Sequence, residues 1–278
     1  KELVLIKRNF GGWRNNMSRR KEYLKDFYDK TNEDTRLIRS RHGQLEYATT
    51  MHFIHKYINK SAKIIEIGAG TGKYSIALAK EGYDVSAIEL VENNLKVLQK
   101  NSNGIINLKS YLGDAVDLSK FQDDYFDLTL SFGPFYHLYD CEDINKAIDE
   151  AIRVTKSGGI LMFAFISIYG IMDSNYMYGK WSAGLKENYD DKMNVLHFEE
   201  QLFTGYDVCE FENLFKNKFV EYITTVGTDG SLEALEERTD FHFTDEEFKS
   251  YINWHIHFSE KRELLGRNNH LIYICKKK

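Results

Sequence analysis

The chain has 278 residues, 42% hydrophobic and 28% charged, with a formal net charge of −5. That size holds one α/β domain with insertions or a small cap, and with no long basic block in the body, nucleic acid is disfavoured as the main partner. The longest apolar stretch, 160–172, contains Ser167 and Gly170 and is too short to span a bilayer, so no membrane partner is expected. Cys141, Cys209 and Cys275 are odd in number and form no C-x-x-C, so disulfides and zinc are both disfavoured and a reduced, cytoplasmic protein is expected.

Residues 1–16 are basic and carry Gly11-Gly12-Trp13 ahead of Met17. Trp13-Arg14 can be encoded TGG-AGG, a purine-rich string resembling a bacterial ribosome-binding site. We therefore read 1–16 as translated leader and Met17 as the start. Residues 18–30 read as a helix with Tyr23, Leu24, Phe27 and Tyr28 on one face. The polar stretch 36–46 carries Arg39, Arg41 and His42. From there Leu45, Ala48, Met51, Ile54 and Ile58 recur at helical spacing. His52 and His55 sit one turn apart on that helix. No carboxylate or cysteine completes a ligand set with them, so they read as surface or partly buried histidines, and no metal is expected.

From residue 63 strand and helix alternate. Strands are expected at 63–67, 84–89, 105–111, 125–131 and 160–166, and helices at 72–81, 91–101 and 140–155. The last helix should stop at Lys156-Ser157-Gly158-Gly159. Such alternation predicts a parallel, doubly wound sheet with helices on both faces. After residue 166 the beat breaks. Residues 167–204 are aromatic and without a clear period, and a segment that long should hold short helices and cover something. A helix at 207–216 opens with Asp207 and Glu210 spaced as a capping box. A strand follows at 219–228, then a helical insertion at 229–267 and a final strand at 270–276. The expected fold class is α/β, a doubly wound seven-stranded sheet, mostly parallel with the last strand antiparallel, carrying helical lid insertions. Residues 1–58 form an N-terminal helical segment contributing to the lid. Residues 59–278 form the α/β domain, with insertions at 167–204 and 229–267.

One stretch organises the rest: Lys63-Ile64-Ile65-Glu66-Ile67-Gly68-Ala69-Gly70-Thr71-Gly72-Lys73-Tyr74. A β-branched strand runs into alternating glycines and then a helix, which lets backbone adopt positive φ and lets a ligand approach it. An acidic residue should follow about 20 positions later to bind ribose hydroxyls, and Glu89 stands there. A dinucleotide fingerprint would need glycine at Lys73, and a phosphate-binding P-loop would need glycine at Ile67 and a hydroxyl residue at Tyr74. The pattern that remains, E-x-G-x-G-x-G from Glu66 to Gly72, resembles the first motif of class I S-adenosylmethionine-dependent methyltransferases. Glu89, Asp114, the Asp127 strand and the Lys156–Gly159 turn follow in the order and spacing of that superfamily's later motifs. The resemblance covers roughly residues 60–166. Two positions depart from it: Ser157 stands where proline is usual, and Ser131 replaces the acidic residue or asparagine often found at the end of strand four.

The resemblance implies S-adenosyl-L-methionine as cofactor and a set of contacts for it. Glu89 and Leu90 would meet the ribose, and Asp114 and Ala115 the adenine. Glu66, Gly68, Ala69, Gly70 and Gly72 would surround the methionine end, with Arg39 or Arg41 on its carboxylate and Ser131 nearby. Tyr136 and His137, just past strand four, are the catalytic candidates. Tyr28, His42, Phe135, Trp181 and His197 are the candidates for the acceptor pocket. The Gly-Pro-Phe-Tyr-His-Leu run and the closing Leu265-Gly266-Arg267-Asn268-Asn269-His270 resemble uncharacterised bacterial methyltransferases. The [DNS]-P-P-[YF] signature of adenine and glutamine methylation is absent, as is a Pro-Cys pair for cytosine chemistry. An aromatic cap suggests a small, partly apolar molecule accepting methyl on O, N or C. Two alternatives remain open here: a methyltransferase acting on RNA or protein, and a cofactor-binding protein without catalysis.

Overall fold

The computed structural model describes residues 16–31, 33–198, 201–236 and 238–278, so the leader reading falls outside it except for residue 16. The N-terminal segment gives α1 (Asn16–Tyr28), a 3-10 turn (Glu33–Thr35) and α2 (Arg41–Tyr57). The alternating core follows as β1 (Lys63–Ile67), α3 (Lys73–Lys80), β2 (Asp84–Glu89), α4 (Glu92–Asn101), β3 (Leu108–Leu112), β4 (Phe126–Ser131), a 3-10 turn (Pro134–Tyr136), α5 (Cys141–Val154) and β5 (Thr155–Ser167). The first insertion holds α6 (Ile168–Tyr176) and α7 (Trp181–Asn188), and β6 (Gly205–Tyr206), α8 (Val208–Asn213) and β7 (Val220–Gly227) come next. The second insertion holds α9 (Leu232–Leu235), α10 (Asp245–Phe258) and α11 (Arg262–Leu265), before β8 (His270–Lys277) closes the chain.

The sheet runs β3-β2-β1-β4-β5-β8-β7. The first five strands pair in parallel, and β8 lies antiparallel to both β5 and β7. The seven-stranded expectation gains only the two-residue β6, paired to the end of β5. Between β1 and β4 the strand order reverses, and open α/β sheets bind ligands in the crevice at the carboxyl ends of strands at such a point. Period-two alternation feeds both faces of the sheet. Ile64 packs into the cluster with Phe53, Ile54 and Leu78, while Ile65 and Ile67 pack into the cluster with Ile148, Phe163 and Phe211.

Several boundaries differ from the sequence reading, each for a local reason. The second helix starts at Arg41 rather than Leu45 because Ser40 Oγ accepts from Gly43 N (3.2 Å) as its N-cap. Strand β3 starts at Leu108 rather than 105, since the Asn107 amide donates to the carbonyls of Ala79 and Tyr83 (2.7 and 2.6 Å) and holds the chain in a turn. The glycine-rich stop at 156–159 is taken into β5 as a bulged start, with a register shift between Phe126 and Leu128.

The two insertions do different work. In the first, α6 buries Ile168, Ile171 and Met172 beside β5 and β6, but Tyr169, Met177, Tyr178 and Trp181 are exposed, and of its described residues only Phe203 lines the cavity. The second packs on α2 through Leu45, Leu232 and Phe248. The covering element over the strand ends is the N-terminal segment. Arg20, Leu24, Phe27 and Tyr28 recur at i, i+4, i+7 and i+8, one face of α1, and all line the cavity below.

Candidate functional site

A cavity of about 590 Å³ occupies the carboxyl ends of β1, β2 and β4 beneath α1, within the roughly 300–1,000 Å³ of ligand pockets. One end is built from the glycine turn and the ends of β2 and β3: Gly68–Gly70, Glu89, Leu90, Asn94, Asp114 and Ala115. Gly68 has φ +78, and a Cβ there would lie 2.7 Å from Pro134 Cδ and 2.8 Å from the Phe132 carbonyl. Only glycine can thread that gap without strain. Glu89 is buried, with Oε2 accepting from Gly70 N (2.7 Å) and Oε1 from Val91 N (2.8 Å). Burial raises its pKa against those two bonds. Glu66 accepts from Ser75 N (2.9 Å) and from the Ser75 hydroxyl, and burial pushes its carboxyl up to about 8. Asp114 is reached from α1 by Arg20 (2.8 Å) and Lys21 (3.4 Å).

The other end is aromatic and aliphatic, with Phe27, Tyr28, Phe132, Tyr136, Phe203, Ala164 and Ile272 among its walls. His137 Nδ1 stands 2.6 Å from the Leu202 carbonyl, and its Nε2 stands 3.0 Å from Tyr28 Oη. A carbonyl only accepts, so Nδ1 carries the proton and Nε2 accepts from the tyrosine. Burial holds the ring well below its usual range, at about 4, which agrees with a neutral imidazole. The deep wall carries a charged network. Arg36 donates to both oxygens of Glu46 (2.7 and 2.9 Å) and to Glu33 (3.0 Å). His270 Nδ1 bonds Asp229 Oδ2 at 2.8 Å and lies 3.8 Å from Glu46. Burial opposes charge on Glu46, but Arg36 outweighs it and holds that carboxylate at about 2. Burial likewise opposes charge on His270, yet Glu46, Asp229 and Glu233 raise it to about 9.

Asp229, Glu233 and His270 bring ligand atoms within 4.8 Å of one another. Asp229 and His270 Nδ1 are committed to each other and to the backbone: Asp229 accepts from Asn269 N, His270 N and His270 Nδ1, while Glu233 Oε2 accepts from the Asn269 amide. We read the group as a hydrogen-bonded scaffold around His270.

Of the residues the sequence singled out, Glu66, Gly68, Ala69, Gly70, Glu89, Leu90, Asp114, Ala115, Tyr28, Tyr136, His137 and Arg39 line the cavity. The structure does not bring the others there. Gly72 caps α3 with φ +86 against Leu98, and Ser131 is buried within β4. Arg41 is drawn to Asp245 (2.8 Å) and the Phe248 ring, and His42 bonds Glu236 (2.5 Å). Phe135 is fully buried against Phe163 and Phe211 in the core rather than in the acceptor pocket. Trp181 is exposed on α7. His197 sits between Thr204 (2.6 Å) and Glu210 (2.8 Å). The sequence reading missed Arg20, Arg36, Glu46, Phe203 and His270. Only Arg20 had a local signal, its one-face spacing with Leu24, Phe27 and Tyr28.

This sheet order with a glycine turn at the switch point and an acid ending β2 defines the class I S-adenosylmethionine-dependent methyltransferase superfamily. The chain carries a methyltransferase domain with that arrangement, and S-adenosylmethionine is the cofactor such a domain takes. A methyltransferase domain family model matches residues 65–163. The demethylmenaquinone methyltransferase of Clavibacter sepedonicus is 33% identical over 141 residues, 50% of this chain and 54% of the relative. One from Staphylococcus aureus is 29% identical over 180 residues, 58% of this chain and 73% of the relative. The matched region thus spans little more than half the length of the first of these relatives. A methyltransferase structure from Methanosarcina mazei superposes with TM-score 0.53 at 18% identity, covering 81% of this chain and 96% of that one, which supports the fold. No helix among the described residues is long and apolar enough to cross a membrane.

The residues present fit the cofactor. Arg20 Nε is buried without a protein partner and belongs to the cavity wall, as a donor awaiting a ring nitrogen would. Glu89 holds the Gly70 and Val91 N–H groups and the Asn94 side chain, and its two oxygens keep acceptor capacity toward the cavity for the ribose.

Proposed function

We propose that this protein transfers a methyl group to a small, partly apolar molecule, on an O, N or C acceptor. The observation that carries the reading is the continuity of the cavity. The glycine turn and Glu89 lie at one end, and the aromatic chamber holding Tyr28 and His137 lies at the other, under one helix. The half-length similarity to demethylmenaquinone methyltransferases supports a flat, apolar acceptor.

S-adenosylmethionine supplies an electrophilic methyl on a cationic sulfonium. Glu89 would hold the ribose hydroxyls, Asp114 and Arg20 the adenine edge, Glu66 the ammonium and Arg39 the carboxylate. Phe27, Phe203 and Tyr136 exclude water from the acceptor. His137, neutral and with its lone pair on the Tyr28 hydroxyl, can take a proton from an acceptor that displaces that hydroxyl.

The test is a screen of metabolite extract and quinol, phenol and amine panels with methyl-labelled cofactor, beside calorimetry with S-adenosylhomocysteine. Cofactor-product binding with label transfer to a small molecule is the expected result. Binding without transfer to any small molecule, or transfer only to RNA or protein, would refute the proposal.

A further inference from the structure

The deep wall of the acceptor end holds an arrangement that the methyl-transfer reading does not use. His270 opens β8 at the cavity wall, where it meets Thr228 from the end of β7 and Tyr136 from the turn after β4. Asp229 is wholly buried and fixes the ring from behind. It accepts from the His270 backbone N–H and from Nδ1, so neither the chain nor the imidazole can turn away. Nδ1 is thereby spent, and Nε2 is the nitrogen left for the cavity. A histidine oriented by a buried carboxylate in a ligand chamber is a positioned hydrogen-bond group.

The groups around it decide its charge. From α2 comes Glu46, with Oε2 3.8 Å from Nδ1, itself held by Arg36. From the chain after β7 comes Asp229, from α9 comes Glu233, and from the turn after β4 comes the Tyr136 ring, edge-on with centroids 5.9 Å apart. Among these described neighbours, Arg36 has its Nε and both terminal nitrogens on Glu33 and Glu46. The cation left facing the ligand is therefore the imidazolium. The walls beside it are Phe132, Tyr136, Ala164, Leu271 and Ile272, with Phe27, Tyr28, His137 and Phe203 across the chamber, while Lys30 and Arg39 line the same cavity from the segment after α1.

We propose that His270, held by Asp229, is the anchor for an ionised oxygen on the acceptor, either a phenolate or enolate or a carboxylate, on an otherwise apolar body. This rests on the methyl-transfer reading of the cavity and specifies its substrate. The imidazolium supplies one charge-assisted hydrogen bond through Nε2, and the flat walls take the apolar remainder.

The test uses the full chain saturated with S-adenosylhomocysteine at about pH 8. Affinities are measured for 4-nitrophenolate and 2-naphthoate, and for their uncharged counterparts 4-nitroanisole and methyl 2-naphthoate. At least one anion should bind about 10- to 100-fold more tightly than its neutral counterpart, the span of one charged hydrogen bond. Preference for the phenolate alone, or for the carboxylate alone, identifies which oxygen the site takes. The anion should also move the ¹⁵N resonance of His270 Nε2. In His270→Leu the ratio should fall to about one while S-adenosylhomocysteine still binds. Asp229→Asn keeps an oxygen for the backbone amides and should also reduce the ratio, which guards against misfolding of the first variant. Equal binding of anion and neutral molecule by the unaltered protein, or a ratio unchanged in His270→Leu, overturns the proposal. Failure of the unaltered protein to bind S-adenosylhomocysteine would instead strike the underlying methyl-transfer reading.

Discussion

The cofactor end of the cavity draws Gly68, Gly70, Glu89 and Asp114 from just beyond three neighbouring parallel strands, whereas the acceptor end draws Tyr28, Glu46, His137, Phe203 and His270 from elements scattered along the chain. Apart from Arg20, which reaches Asp114 from α1, the first end is held within one strand–helix–strand step, as by the bonds from Gly70 and Val91 to Glu89. The second is held by contacts that span the sequence: Tyr28 to His137, His137 to Leu202, His270 to Glu46. A ligand site made by one repeated strand–turn–helix unit keeps its geometry whatever covers it. A site made by covering segments takes its chemistry from whichever segments arrive. Substitutions at one end should therefore leave the other intact.

The sharpest break between the ends is His137→Gln, which removes the ring lone pair held by Tyr28. Turnover should fall about 10²–10⁴-fold, with S-adenosylhomocysteine affinity unchanged by calorimetry. An equal loss of both would make His137 a structural support for the whole cavity. Glu89→Ala is the mirror experiment. It removes the acceptor for two hydroxyls and two backbone amides, and should cost roughly 2–4 kcal/mol of cofactor affinity. Acceptor-analogue binding should survive it, and cofactor affinity equal to that of the unaltered protein would place the ribose elsewhere.

Stability against pH separates the ends more gently. His137 is held at about 4 by burial, and His255, buried on α10 with Nε2 3.0 Å from the Gly227 carbonyl, is also held at about 4. The unfolded chain protonates both first, so stability is lost as pH falls from about 6.5 toward 4. His270 is raised to about 9, so its contribution is full below about 6.5 and is lost as pH rises through 9. Glu66, raised to about 8, adds to the alkaline loss from about 4.5 upward. A denaturant series should give a maximum near pH ~6.5, with limbs of about 1.4 kcal/mol per pH unit for each unbalanced proton. His270→Gln should flatten only the alkaline limb, and no change there would place the imidazolium's charge in doubt.

The smallest effect concerns Glu66. A carboxyl at about 8 is largely protonated at neutral pH, and a cofactor ammonium beside it would lower that value. Binding of S-adenosylhomocysteine near pH 7 should therefore release up to about one proton, read from calorimetry in buffers of different ionisation enthalpy. Release should vanish above about pH 9, and its absence at pH 7 would place the ammonium away from Glu66.

The sequence by itself determined the sheet and the glycine turn. Ile64, Ile65 and Ile67 can be buried only as a strand sandwiched on both faces, and the glycines at 68 and 70 supply the positive φ the exit requires. It also placed Glu89, because one strand–helix–strand step fixes that spacing. It could not say that Arg41 and His42 would turn to Asp245 and Glu236, partners some 200 residues away, while Arg36 turned to Glu46 on the next helix. Nor could it say that the tail of the first insertion, rather than Trp181, would reach the cavity through Leu202 and Phe203. His270 stood in the sequence only as the end of the Leu265–His270 run, between Asn269 and the apolar strand that follows. Its charge comes from Asp229 and Glu46, which approach it only when β7, β8 and α2 are packed. Local steric and burial rules act over a few residues and can be read in order. The electrostatics of a buried group depend on every charge within several ångströms, and only the tertiary structure brings those together.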